Sequence, residues 1–270
     1  MTIGTTRIGS RTVSRLVLGG NPFSGFSHQG AEMDGRMRHF YSSARIKEEY
    51  RRAEALGITA HVGRADHHIM RVLMEYWDEG GRMQWIAQTC PEVGPTMTGA
   101  SNGIRGGAVA CFVHGGRMDW LYANRQLDEA VNAVAEIRKA GLAAGIAGHK
   151  PEVFDWAEAN LDCDFFMCSY YNPADRSQRP EHVPSQAETF HPDDRDAMMR
   201  RIARLPRPVI HYKVLAAGRT PPADALAFVA RHLRPQDAVC IGVYSADRPN
   251  MLEEDVAILK AALKAEGKEL

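Results

Sequence analysis

The sequence lacks charge of a single sign: 33 basic side chains stand against 33 acidic ones, and no block of like charges occurs. Without a basic footprint, a nucleic acid or an anionic membrane surface is not an expected partner, and a small-molecule substrate becomes the default. Long apolar runs are also missing. None approaches the ~18 residues of a membrane span, and the opening stretch MTIGTTRIGSRTVSRLVLGG has no apolar core of a signal peptide. The expectation is a cytoplasmic chain with no membrane partner. Cysteine is scarce and odd in number: Cys90, Cys111, Cys163, Cys168 and Cys240 show no CxxC spacing, which excludes a disulfide framework. Cys111 and Cys240 lie in apolar runs and read as core. A glycine loop of the kind that cradles phosphates is absent too.

What is present is an alternation. Short apolar runs recur at 15–20, 58–62, 83–89, 108–114, 142–148, 164–169, 208–213 and 238–243. Amphipathic stretches lie between them at 43–56, 68–79, 127–140, 151–160, 193–204, 222–233 and 249–265. Apolar runs with helical periods between them are the signature of βα units around a parallel sheet. Leu127, Val131, Val134 and Ile137 form one apolar stripe of a helix. Pro151 and Pro192 suit first helical turns, while Gly57 and Gly141 suit helix ends. Eight such units in 270 residues predict one closed (β/α)₈ TIM barrel over residues 1–270, with no composition shift marking a second domain. Two connections, 21–42 and 170–192, are long for βα loops and leave the C-terminal strand ends, where this fold keeps its active face.

In order along the chain, SRLVLGGNPF, EALGI, FVHGG, GIAGHKPEVFDWAE, FFMCSYYNP, VIHYKVLAAG and IGVYSADRPNMLEEDV resemble the aldo-keto reductase superfamily over nearly the whole length. The resemblance implies the barrel and its active face. It also implies an Asp, Tyr, Lys and His around a substrate carbonyl, but those places hold Val62, His67, Thr89 and His114, so only the histidine is retained. The residues that hold the nicotinamide amide in the family are replaced by Ala147-Gly148 and Cys168, and two extra residues near Arg248 disturb the phosphate-binding spacing. Hydride transfer from NADPH is therefore not the expected chemistry. The resemblance is to a divergent subgroup that has lost its reductase machinery.

The remaining chemistry sits at strand ends. His114, His149 and Cys168 close three consecutive strands and could hold a divalent metal such as zinc or manganese, leaving a position for water or substrate. Without a metal, His114 and His149 are general acid/base candidates. Lys213, on the same side of its strand as His211 by the two-residue period, could attack or polarise a carbonyl. Arg64 and Asp66 after the second strand complete the catalytic candidates. Asn21, His28, Gln88, Tyr171, Asn172 and Arg219 complete a polar ring suited to a hydroxylated or carboxylated ligand. His39, His182, His191 and His232 read as surface residues. The reading is an isomerase, lyase or hydrolase of a sugar-like or keto-acid molecule, with homo-oligomerisation left open. The alternatives are an atypical NADPH-dependent reductase using His67 or Lys213, and a catalytically silent ligand-binding barrel.

Overall fold

A computed structural model describes residues 3–183 and 187–268. The chain opens with an antiparallel hairpin, β1 (Thr5–Ile8) and β2 (Arg11–Ser14). Eight parallel strands then close on themselves: β3 (Leu16–Gly19), β4 (Ala60–Arg64), β5 (Gln84–Gln88), β6 (Ala110–Val113), β7 (Ala143–Gly148), β8 (Phe165–Ser169), β9 (Val209–Tyr212) and β10 (Ala238–Gly242). β10 pairs with β3 to seal the barrel. Seven of the eight strands fall inside an expected apolar run and β4 overruns the 58–62 run by two residues, so the (β/α)₈ expectation holds.

Alternation along each strand divides the core into two layers. Val62, Ile86, Phe112, Ala147, Phe165 and Met167 fill the interior. Trp85, Ala87, Cys111, Phe166 and Cys168 face the helix layer. The hairpin was not foreseen, and its role is clear from packing: Ile8 and Val13 join the interior cluster. Polar TTRI and RTVS carry too little apolar period to announce strands, but one residue from each completes the barrel floor.

The surrounding helices are α1 (Ala31–Phe40), α2 (Ser43–Ala55), α3 (His67–Asp78), α4 (Thr96–Arg105), α5 (Gly115–Ala123), α6 (Asp128–Lys139), α7 (Pro151–Asn160), α8 (Pro192–Ile202), α9 (Pro222–His232) and α10 (Met251–Ala265). On α3, Ile69, Val72, Leu73 and Tyr76 are buried at helical spacing, each worth roughly 1.5–3 kcal/mol of apolar transfer. On α6 the buried face is Ala130, Ala133, Val134 and Ile137, and Val131 points outward, because alanines rather than the larger Val131 meet the sheet. Helices α1, α4 and α5 fall outside the expected set. α4 contains Gly99 and Gly103, which disguise it as a loop; a Cβ on Gly99 would come within 2.8 Å of the Thr89 Cα, so the helix needs them to lie close against the sheet. The first long connection is likewise no continuous loop, since it holds a short 3₁₀ turn (Pro22–Ser24) and α1.

Candidate active site

The C-terminal mouth of the barrel opens into a cavity of about 350 Å³. Its walls include Asn21, His28, Arg64, Gln88, His114, His149, Arg176, His182, Tyr212 and Lys213. Both long connections contribute, the first through His28 and the second through Arg176 and His182.

His149 follows β7 and is almost fully buried. Its Nδ1 lies 2.6 Å from Asp119 Oδ2, and its backbone N–H donates to Asp119 Oδ1 at 3.1 Å. A carboxylate only accepts, so Nδ1 carries the proton and the Nε2 lone pair faces the Tyr212 hydroxyl at 3.3 Å. Burial pushes the His149 imidazole below its ordinary value. Asp119 pulls it back without overcoming burial, while Lys213 and Arg176 lower it further. The ring is a neutral acceptor. Burial raises the Tyr212 phenol well above its usual range, which keeps it a donor.

His114 has the opposite tautomer. It caps α5, where its Nδ1 accepts the Arg117 backbone N–H at 3.3 Å. The proton must then lie on Nε2. Burial, aided by His149, Arg176, Arg64 and Lys213, holds this imidazole well below its usual value. One neutral histidine therefore offers a donor and its neighbour an acceptor. Gly115 makes the arrangement sterically feasible, since a Cβ there would lie 2.7 Å from the Tyr212 hydroxyl and 3.0 Å from His149 Cε1.

Lys213 lines the same cavity and stands just past β9. Its φ of 57° breaks the strand alternation, so the reading that paired it with His211 is corrected. His211 faces the helix layer, bonded to Tyr170 at 3.0 Å and Asp237 at 3.2 Å, whereas Lys213 enters the cavity. Lys213 Nζ donates to His28 Nε2 at 2.8 Å, and His28 Nδ1 donates to Glu188 at 2.8 Å. Burial brings the Lys213 ammonium down to about 8, with Glu188 opposing and Arg176 and Arg219 assisting. Burial and Lys213 take His28 down to about 3, so this ring too is neutral.

Several expected site residues lie elsewhere. Cys168 points into the helix layer and cannot join His114 and His149 around an ion. Asp66 caps α3 through the Ile69 N–H at 2.9 Å and binds Arg64 Nε at 2.9 Å, away from the cavity wall. Arg64 does reach the wall, held by Asp66 and by Glu92 at 3.2 Å. Tyr171 packs against Phe190 in the core, and the Asn172 backbone N–H donates to Asp194 Oδ2 at 3.2 Å. Arg219 clamps the His28 carbonyl at 2.8 Å and lies over the Phe190 ring, so it braces the loop rather than lining the cavity. His67 is exposed on α3, outside the cavity.

Five residues of the site escaped sequence reasoning, Tyr212 among them as an unremarked strand residue. Asp119 lies inside an unrecognised helix. Arg176 and Glu188 lie in a polar loop with no period to read. His182 was assigned to the surface, but it is mostly buried and lines the cavity, 3.7 Å from Glu188.

Among the described residues, His28, His182 and Glu188 are the one trio whose donor atoms gather within 4.8 Å. They fit a cation poorly. Lys213 lies against His28, and Arg176 Nη2 stands 3.6 Å from Glu188 Oε1. Like charges 4 Å apart cost about 4 kcal/mol per unit pair at an effective dielectric of 20. The protein's own cations already balance this carboxylate.

No protein-family model matches the chain, and no curated protein does. Among solved structures it is similar to PA4992 of Pseudomonas aeruginosa, described as an aldo-keto reductase, with a TM-score of 0.62 and 18% identity over 96% of each chain. The aldo-keto reductase AKR11C1 of Bacillus halodurans gives a TM-score of 0.60 and 14% identity over 97% of this chain and 96% of its own. A truncated 3-deoxy-D-arabino-heptulosonate 7-phosphate synthase of Thermotoga maritima gives 0.58 and 13% over 99% and 95%. At these identities the fold is what is shared: an eight-stranded barrel of aldo-keto reductase type. The neighbours comprise reductases and a synthase, so the fold leaves the activity to be argued from the site. No helix among the described residues is long and apolar enough to cross a membrane.

Proposed function

We propose that the protein is an enzyme of proton-transfer chemistry beside a carbonyl, acting on a polar, sugar-like or keto-acid small molecule as an isomerase, lyase or hydrolase. The observation that carries this reading is the pair of neutral histidines with opposite tautomers on one cavity wall. His149 Nε2 takes a proton from the carbon next to the carbonyl, and Asp119 stabilises the imidazolium that forms. His114 Nε2–H donates to the carbonyl oxygen as negative charge grows there, and Lys213 supplies a cation in the same cavity. Asn21, Gln88 and Arg64 line the remaining space and orient hydroxyl or carboxylate groups.

A nicotinamide-dependent reductase is disfavoured by the same walls. Val62 and Ala147 present only apolar surface to the cavity where the family would place a carboxylate and part of its cofactor site. His67, the substitute proton donor, lies outside it.

The test is deuterium exchange. A panel of hydroxyketones, aldoses and 2-oxo acids is incubated with the protein in D₂O, and proton NMR follows loss of signal beside the carbonyl. At least one compound should exchange, and the His149→Gln variant should slow that exchange at least ~100-fold. No exchange across the panel, or full exchange in a variant lacking both His114 and His149, would overturn the proposal.

A further inference from the structure

We propose that Lys213 is a covalent catalyst that forms an imine with a 2-oxo acid whose carboxylate is received by Arg176. This deepens the acid/base reading and rests on it for the steps after the imine.

Among the described residues no carboxylate lies within 4.0 Å of Lys213 Nζ, although the side chain enters a cavity lined by Glu92. Buried lysines ordinarily pair with a carboxylate, which stabilises the ammonium. Lys213 instead meets an imidazole acceptor, His28 Nε2, whose other nitrogen donates to Glu188. Glu188, His28 and Lys213 thus form a carboxylate–imidazole–amine chain in which the neutral His28 ring accepts from the nitrogen and holds it in place. Lys213 and His149 line the same cavity, so one supplies the amine and the other the proton acceptor.

The second observation is Arg176. It is 6% exposed and lines the cavity. Its partners are the Glu181 carbonyl at 2.8 Å and Glu188 at 3.6 Å, the latter beyond a hydrogen bond, so much of the guanidinium fork is uncommitted. Arg176 lines the same cavity as His114, His149, Tyr212 and Lys213. A buried, partly free guanidinium is a carboxylate receptor. A 2-oxo acid held there carries its ketone one bond from the carboxylate, in the cavity that Lys213 also lines.

The chemistry balances without a further co-reactant. The Lys213 lone pair bonds to C2, and the carbonyl oxygen leaves as water with one N–H proton and one solvent proton, giving a protonated imine. The positive nitrogen then acidifies the C3–H bond. His149 Nε2 accepts that proton while the C–H electrons form C2=C3 and the imine electrons return to nitrogen as an enamine. An enamine can then lose or gain a substituent at C3, which serves lyase and isomerase chemistry alike.

The test is reductive trapping. Full-length protein is incubated separately with pyruvate and glyoxylate in the presence of cyanoborohydride, which reduces an imine to a stable secondary amine, and peptide mass mapping locates the adduct. One adduct per chain at Lys213 is expected. It should vanish in Lys213→Met and fall at least tenfold in Arg176→Met, with circular dichroism confirming that both variants are folded. His149→Gln should keep the adduct and lose pyruvate C3 deuterium exchange. No adduct, or labelling shared evenly with Lys47, Lys139 and Lys150, overturns the imine. If wild-type protein then still exchanges deuterium in a His149-dependent way, the acid/base reading stands alone. An adduct at Lys213 with no exchange sinks the acid/base reading and keeps the imine.

Discussion

Lys213 Nζ and His28 Nε2 meet at 2.8 Å across the mouth of the barrel, and each residue holds φ at 57°, a conformation that side chains other than glycine seldom adopt. Each such residue costs about 1–2 kcal/mol. Two strained residues in direct contact, one after β9 and one in the first connection, mark a place where the fold sacrifices stability to hold a geometry.

Replacing Lys213 with methionine should therefore stabilise the protein while removing its covalent chemistry. The amine is held at about 8 against an ordinary value of 10.5, so burying its charge costs on the order of 3 kcal/mol below pH 8. Loss of the bond to His28 returns about 1 kcal/mol. The groups facing the amine are Glu188, which opposes the shift, and Arg176, Arg219 and neutral His28. Between pH 8 and 10.5 the unfolded chain holds more protons at this site than the folded one, so the wild type gains stability as pH rises through that window. Urea unfolding at pH 7 should show Lys213→Met ahead by about 2 kcal/mol, with the lead gone near pH 10.5. A lead that does not change with pH would mean the ammonium is not destabilised.

Asp119→Asn should disable His149 without unfolding the protein. Asp119 accepts two N–H donors, one at each oxygen. An asparagine has one acceptor oxygen, and keeping it on the His149 backbone N–H turns its NH₂ toward Nδ1. The imidazole must then move its proton to Nε2, and the base becomes a donor like His114. Deuterium exchange should drop at least ~100-fold with little change in imine trapping. The lowered value of His149 also implies that, on acidification, exchange falls off at a pH below that of an ordinary imidazole. A fall centred at 6.5 would place the proton transfer on another group.

How much of this was legible before the structure depends on the period. The strands announce themselves because inward and outward residues are both apolar, as in FFMCS, where Phe165 and Met167 face in and Phe166 and Cys168 face out. That double burial also hid which side Cys168 takes, since a continuous apolar run carries no alternation to read. Lys213 was visible as a strand-end lysine, but its left-handed backbone was not, because nothing in HYKVLAAG requires it. Asp119 was lost with α5, whose first turn is two glycines. Arg176, His182 and Glu188 come from the second long connection, where composition names the residues and only tertiary contacts can place them.

Cys168→Ala should separate the core role from a ligand role. The thiol is fully buried in the helix-facing layer and burial raises it well above its ordinary value, so it is neither a thiolate nor near His114 and His149. The variant should lose about 1 kcal/mol from the smaller side chain and retain deuterium exchange and trapping unchanged. Native protein should also resist alkylation at this cysteine until unfolded. A large loss of exchange in a folded Cys168→Ala variant would restore it to the site.

Gly115→Ala tests the close approach on which the two histidines depend. The added methyl would lie 2.7 Å from the Tyr212 hydroxyl and 3.0 Å from His149 Cε1, both inside normal contact distance. Neither neighbour is free to yield: Tyr212 is anchored on β9, and His149 is fixed by two bonds to Asp119. Overpacking of this kind costs about 1–3 kcal/mol, but the larger effect should be on geometry. If His149 turns aside, Nε2 no longer faces the cavity and exchange should fall at least tenfold, whereas Lys213, held by His28, should still trap pyruvate. Equal loss of both reactions at unchanged stability would mean that the two groups do not act independently.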